Sequence, residues 1–326
     1  MKKRIVIYII IAEIIIFTPI AIHILEKKPI ILGGTVHVAP INKDWLIFPK
    51  VDGLEYFYEP KPNSVAEINL NWENTNGPKI PTYKINSDGL NQTTNFSVEK
   101  PKNVSRIIIL GDSYTFGFNV NTEDNYPSQL QNLLDENCMN KFQILNLGVE
   151  GYDIQYAVER YKVRGRKYDP DIVLWLVVDD DMNRLDEFVE PKFTNYYLQE
   201  LQNGNNDANT KEGKFYVPWI KAKEEIQKKL GQEAVLGMQK SFLNELNQYF
   251  SKKLLISIFP RTGAKHKKIL KDFVSSRPNS YFNDKLIEPV DKGKLPDGHP
   301  SPLGHKQIAQ SIFDYLKTNK IVQCNK

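Results

Sequence analysis

Four mostly apolar runs of strand length, at 106–110, 142–147, 172–178 and 254–259, constrain this chain more than any other feature. The first and third show no polar alternation, which suits strands covered on both faces of a parallel sheet. Stretches near 126–137, 153–165 and 221–250 read as helices between them. A final helix places Ile308, Ile312, Phe313 and Leu316 on one buried face. Strands alternating with helices predict an α/β domain over 106–320, with a parallel sheet and right-handed crossovers. The segment at 184–220 is polar and aromatic, with Asn203-Gly204-Asn205-Asn206-Asp207 marking an insert or lid. Its aromatics (Phe193, Tyr196, Tyr197, Phe215, Tyr216 and Trp219) are of the type that stacks on sugars or simply packs.

With 326 residues there is room for this domain and a smaller segment ahead of it. Lys2-Lys3-Arg4 precedes an isoleucine-rich stretch at 5–25, which as a helix would span roughly 30 Å, the thickness of a bilayer core. Glu13 would cost about 2.5–3.5 kcal/mol there, against a few tenths returned by each isoleucine. No small-x-small cleavage site follows, so residues 1–28 read as a basic cytoplasmic tip and an uncleaved signal anchor. The expected location is the cytoplasmic membrane, single-pass, with the main domain outside. Residues 29–105 read as a stalk with small strands: 65–70 alternates, and 83–90 runs into an Asp88-Gly89 turn. Asn91, Asn95 and Asn103 stand in Asn-x-Ser/Thr triplets, which an asparagine-rich chain produces by chance. The formal net charge is +4 with both signs interspersed, so no nucleic-acid stripe stands out. Two cysteines alone exclude a cysteine zinc site and argue against a disulfide framework. Whether Cys138 and Cys324 pair stays open.

The first strand runs straight into Gly-Asp-Ser-Tyr-Thr-Phe-Gly at 111–117. A serine at the carboxyl end of a sheet strand is where α/β folds hold reactive groups, although these residue types also favour a plain turn. A nucleophilic serine needs a base and an orienting acid. Of five histidines, His23 lies in the apolar segment and His37 in the stalk. His266 sits among lysines on what reads as a solvated helix start, and His305 suits capping or packing in the last helix. His299 has Asp297 two residues upstream, in a proline-bounded loop just before that helix.

On these residues the chain resembles the SGNH (GDSL-like) hydrolases, serine esterases and acyltransferases, over roughly 83–320. The block at 111–117 resembles the nucleophile block of that family. Asn146-Leu147-Gly148-Val149-Glu150-Gly151 resembles the second block, and Asp297-Gly298-His299-Pro300 the last. The flanks at 83–90 and 121–130 are similar to its membrane-anchored bacterial branch. The resemblance implies a flavodoxin-like, three-layer α/β/α fold with Ser113 as nucleophile, His299 as base and Asp297 orienting it. The backbone N–H groups of Ser113 and Gly148 would form an oxyanion hole, and no metal or organic cofactor is called for. The third block departs: Asp180 stands where the family has the asparagine that completes that hole, within Val178-Asp179-Asp180-Asp181. A carboxylate cannot donate, and losing one such donor costs on the order of 10²–10³ in rate. Two routes would restore a donor: crowding among three acids could keep Asp180 protonated, or Asn183 could serve instead.

The expected activity is hydrolysis of acyl esters, in particular acetyl esters of carbohydrate or envelope polymers. The alternatives are a polysaccharide O-acetyltransferase using the same serine, or a catalytically impaired carbohydrate-binding or assembly protein. Metal-dependent phosphoester chemistry through Asp112, Asp179, Asp180 and Asp181 is a further alternative; contiguous acids on one loop point in different directions, which speaks against it.

Overall fold

The computed structural model describes residues 46–47, 59–70, 72, 75–185, 196 and 216–324, with the backbone alone at 46–47 and 216–220. The predicted anchor at 5–25, most of the stalk and most of the 184–220 insert lie outside the described residues. Among the described residues, no helix is long and apolar enough to cross a membrane.

Two short antiparallel ribbons come first, β1 (Leu46–Ile47) with β2 (Glu59–Pro60), and β3 (Ser64–Glu67) with β4 (Thr82–Ile85). The main domain then runs β5 (Val104–Leu110), α1 (Ser113–Phe116), α2 (Tyr126–Asn137), β6 (Lys141–Asn146), α3 (Ile154–Arg160) and β7 (Ile172–Leu176). After the insert come α4 (Tyr216–Leu230), α5 (Gln232–Tyr249), β8 (Lys253–Ser257), α6 (Ala264–Ser275), β9 (Ser280–Asn283) and α7 (Pro302–Thr318). The five strands of the main sheet lie in the order β6-β5-β7-β8-β9, all parallel. Numbered along the chain this is 2-1-3-4-5, the flavodoxin-like order, whose ligand crevice lies where the order reverses. Here that point is between the carboxyl ends of β5 and β7.

The alternation within β5 shows why its sequence is apolar throughout. Ile108 and Leu110 pack in one core with residues of α3, α5 and α6, such as Val158, Leu243 and Leu270. Ile107 and Ile109 pack in the other with Leu130 and Leu134 of α2 and Ile308, Ile312 and Leu316 of α7. Both faces of the sheet are therefore covered, and the three layers expected from the sequence are present.

Three local readings change. The stretch read as one helix at 221–250 is two helices, because Gly231 adopts φ +81 and separates them. The first of these begins at Tyr216, inside the segment read as insert. The edge strand β9 has four partly polar residues and carries too little pattern to be found from the sequence.

The N-terminal ribbons are fastened to the main domain by buried polar contacts. The buried carboxylate of Glu59 accepts from Arg160 Nη1 at 2.6 Å and from Arg164 Nε at 2.9 Å, and Arg160 Nη2 donates to Gly89 O at 2.6 Å. Removing one partner of such a pair leaves the other charge buried and uncompensated. Cys138, after α2, and Cys324, after α7, are joined in a disulfide.

Candidate active site

Chain geometry at the end of β5 presents Ser113. Asp112 caps the short helix α1, its Oδ1 accepting from Tyr114 N at 2.9 Å, so Ser113 is the first helical residue and its N–H has no intrahelical acceptor. At the far end of α1, Phe116 O accepts from Asn91 Nδ2 at 2.8 Å, and Asn91 Oδ1 accepts from Thr122 Oγ1 at 2.6 Å. The stretch 83–95 thus holds the turn that carries Ser113 from outside the main sheet. The Asn91 side chain is buried in this web.

His299 and Asp297 arrive from the loop before α7. His299 Nε2 lies 3.0 Å from Ser113 Oγ, and His299 Nδ1 lies 2.7 Å from Asp297 Oδ2. Asp297 Oδ1 also accepts from the His299 backbone N–H at 3.1 Å, which fixes the loop and the ring together. With Nδ1–H donated to the carboxylate, Nε2 is the acceptor facing the serine hydroxyl. All three residues predicted as catalytic are brought together, although 184 residues of chain separate Ser113 from Asp297.

One participant was not found from the sequence. Asn119 Nδ2 donates to Asp297 Oδ2 at 2.8 Å, and its backbone N–H donates to Tyr83 Oη at 2.8 Å. Asn119 holds φ +65, a conformation asparagine tolerates better than most residues. The only sequence signal was its place two residues after Gly117.

The oxyanion wall differs from the expectation. Gly148 N–H is donated to Asn146 Oδ1 at 3.0 Å rather than left facing Ser113. Gly148 itself sits tight against α1, where a Cβ would come within 2.5 Å of Phe116 N and 2.6 Å of Thr115 Cβ. Asp180 is not a protonated donor. Its Oδ2 lies 3.1 Å from Arg184 Nε and its Oδ1 is bonded to the Lys223 ammonium. Partial burial alone would raise this carboxyl, but Arg184 and Lys223 outweigh it and hold it below the ordinary carboxylate range. The acid that is shifted upward is its neighbour: burial first, then the nearby Asp112 carboxyl, push Asp181 well above the usual range. Asn183, the other candidate donor, gives its Nδ2 to Asp179 O at 3.3 Å and is not among the residues that line the cleft.

His266 is likewise corrected. It is buried, with Nδ1 2.6 Å from Asp179 Oδ1, and that oxygen also accepts from Gly263 N at 2.8 Å. The buried positions 266, 270, 273 and 274 of α6 form one helical face, a period that the surrounding lysines obscured. The three adjacent acids therefore face three different sets of partners: His266, the Lys223–Arg184 pair, and the Val178 N–H that Asp181 accepts at 3.0 Å. His305 is a packing residue as expected: its ring stacks on Tyr126, and its Nδ1 accepts from Tyr126 N at 3.2 Å. Of the insert aromatics, Tyr196 is the one whose side chain falls among the described residues, and it meets Glu225 and the Lys221 ammonium.

An open cleft of about 480 Å³ exposes this site, lined by Ser113, Tyr114 and His299 and by charged groups that include Asp179, Asp180, Arg184, Arg261 and Lys294. Tyr114 and Val178 are its main apolar contributions.

No family model matches the chain, and no curated protein matches it. Among solved structures it is similar to the psychrotrophic esterase EstA from Pseudoalteromonas sp., at 16% identity over 67% of this chain and 100% of that one, TM-score 0.41. It is also similar to a lipase/acylhydrolase from Enterococcus faecalis, at 14% identity over 68% and 99%, TM-score 0.41. A family 3 carbohydrate esterase from Clostridium thermocellum matches at 16% identity over 67% and 96%, TM-score 0.39.

Proposed function

We propose that the chain is a serine hydrolase of the SGNH type, cleaving short-chain acyl esters of polar alcohols such as carbohydrate hydroxyls. The observation that carries this reading is the relay Ser113–His299–Asp297, at 3.0 and 2.7 Å, seated at the crevice of the sheet. In the reaction Ser113 Oγ attacks the ester carbonyl carbon while His299 Nε2 takes its proton, and the buried Asp297 carboxylate balances the imidazolium that forms. The tetrahedral intermediate then collapses, and His299 returns the proton to the leaving alkoxide oxygen. Water, activated by the same histidine, releases the acid and restores the serine; a sugar hydroxyl in place of water would make the reaction an acyl transfer.

The cleft supports the substrate class. A site for a long acyl chain is lined by apolar groups, whereas among the described residues seven charged side chains and few apolar ones line this cleft. The small acyl group and the polar alcohol follow from that lining. We place the domain outside the cytoplasmic membrane: the run at 5–25 reads as a signal anchor, and the Cys138–Cys324 bond suits an oxidising compartment.

Treatment of the full chain with a fluorophosphonate, followed by peptide mass analysis, is the direct test. A single adduct on Ser113, and release of acetate from acetylated polysaccharide that Ser113→Ala abolishes, are expected. A folded protein whose Ser113 takes no label would overturn the reading.

A further inference from the structure

The cleft contains a buried cation that neither the motif blocks nor the relay uses. We infer that Arg184 takes over the role of the missing asparagine, its guanidinium, oriented by Asp180, stabilising the oxyanion formed when Ser113 attacks an ester. This rests on the serine chemistry proposed above and says how that chemistry survives the change at position 180.

Three observations lead there. First, Asp180 is ionised and committed, with Oδ2 on Arg184 Nε at 3.1 Å and Oδ1 on Lys223. Its charge is therefore balanced by cations rather than turned on the reaction centre. Second, Arg184 lies two residues after the 3-10 turn Asp179–Met182, and its backbone N–H donates to Asp180 O at 3.1 Å. The chain thus returns the side chain at 184 onto the carboxylate at 180, and Arg184 lines the same cleft as Ser113 and His299. Third, the Arg184 side chain is only 6% exposed, and its charge acts on Asp112, Glu150 and Asp181 as well as on Asp180.

A cation in such a wall is screened little, so it acts more strongly on developing negative charge than the same group in water. Guanidinium presents five N–H donors in a planar fork, which suits it to an oxyanion as well as to a carboxylate. Asp180 is then a positioning residue: it replaces the asparagine amide indirectly, by holding the group that does the donating.

The test uses the full chain and compares Arg184→Met, Arg184→Lys and the double variant Asp180→Asn/Arg184→Met with wild type. Measured are kcat and KM for 4-nitrophenyl acetate, the rate of fluorophosphonate labelling of Ser113, and thermal unfolding. Loss of an oxyanion donor predicts a fall of about 10²–10³ in kcat for Arg184→Met, with KM changed less than about threefold. Labelling should slow in parallel, because the phosphoryl oxygen of the adduct occupies the oxyanion position. The double variant should regain at least about tenfold in kcat over Arg184→Met, since an amide at 180 can donate again. Should Arg184→Met not fold, Arg184→Lys carries the test: it keeps the charge among the acids but loses the fork, and kcat about tenfold down at unchanged KM is expected. A folded Arg184→Met or Arg184→Lys with wild-type kcat overturns the inference and leaves the serine chemistry standing. A wild-type chain that neither labels nor turns over overturns that chemistry itself.

Discussion

Replacing Asp297 by asparagine tests the relay at the point where the geometry is most demanding. Both carboxylate oxygens act only as acceptors: Oδ2 takes His299 Nδ1–H at 2.7 Å and Asn119 Nδ2–H at 2.8 Å, and Oδ1 takes His299 N–H at 3.1 Å. An amide must set its NH₂ against one of these donor sets. With the amide oxygen at the Oδ2 position, the NH₂ opposes the His299 backbone, and the imidazolium of the transition state loses its counter-charge. With the NH₂ at Oδ2 it opposes two donors, and the imidazole turns to the Nε2–H tautomer, which cannot accept the proton of Ser113. Either way one buried polar contact is broken, at a stability cost of about 1–3 kcal/mol. The larger effect is on rate, where the expected loss in kcat is about 10³–10⁴, equivalent to about 4–5.5 kcal/mol. Because the Asp297 side chain is fully buried behind His299, KM should hardly move. Steady-state hydrolysis of 4-nitrophenyl acetate by the purified full chain, with thermal unfolding as a fold check, measures both. A folded Asp297→Asn retaining more than a tenth of wild-type kcat would refute the orienting role.

Three further outcomes follow from other parts of the structure. Burial, with the His299 charge adding to it, lowers His305 to about 3 from an ordinary 6.5, so protons favour the unfolded chain; stability is full above neutrality and declines as pH falls below about 6.5. Urea titrations should show about 2 kcal/mol lost between pH 7.5 and 5 from this group, and His305→Asn, which keeps an acceptor for Tyr126 N–H, should remove that part of the slope; an unchanged slope would assign it elsewhere. Reducing the disulfide, or making Cys138→Ser with Cys324→Ser, opens a loop spanning 186 residues and should cost about 2–5 kcal/mol, lowering the melting temperature by about 3–7 °C while leaving kcat near wild type. Gly148→Ala drives a methyl into Phe116 N and Thr115, so about 1–3 kcal/mol of overpacking strain is expected together with a drop in kcat through displaced α1; a variant matching wild type in both would show that this wall yields freely.

Much of the sheet was legible because burial on two faces leaves a run with no polar register, as at 106–110 and 172–178. The site residues Ser113, His299 and Asp297 were legible for a different reason: chemistry confines them to strand ends and stiff loops, and few histidines compete. What escaped depends on tertiary partners. Asn119 is one asparagine among many until Asp297 is placed against it. His266 looked solvated because Lys265 and Lys268 flank it, and only the loop after β7, bringing Asp179, shows which face is inward. For Asp180 the sequence leaves the charge state open, because the cations that settle its surroundings, Arg184 and Lys223, lie four and forty-three residues further along the chain. Two cysteines this far apart carry no pairing signal until α2 and α7 are packed on the same face.

The central claim is that Ser113 is a nucleophile primed by His299, and the most direct measurement is the rate of its covalent capture. Full-length wild type, Ser113→Ala and His299→Ala would be exposed to a fluorophosphonate and followed by intact mass and peptide mapping. One adduct per chain on Ser113, absent in Ser113→Ala and slowed at least a hundredfold in His299→Ala, is the predicted result. No adduct on Ser113 in folded wild-type protein, or equal labelling with and without His299, would contradict it.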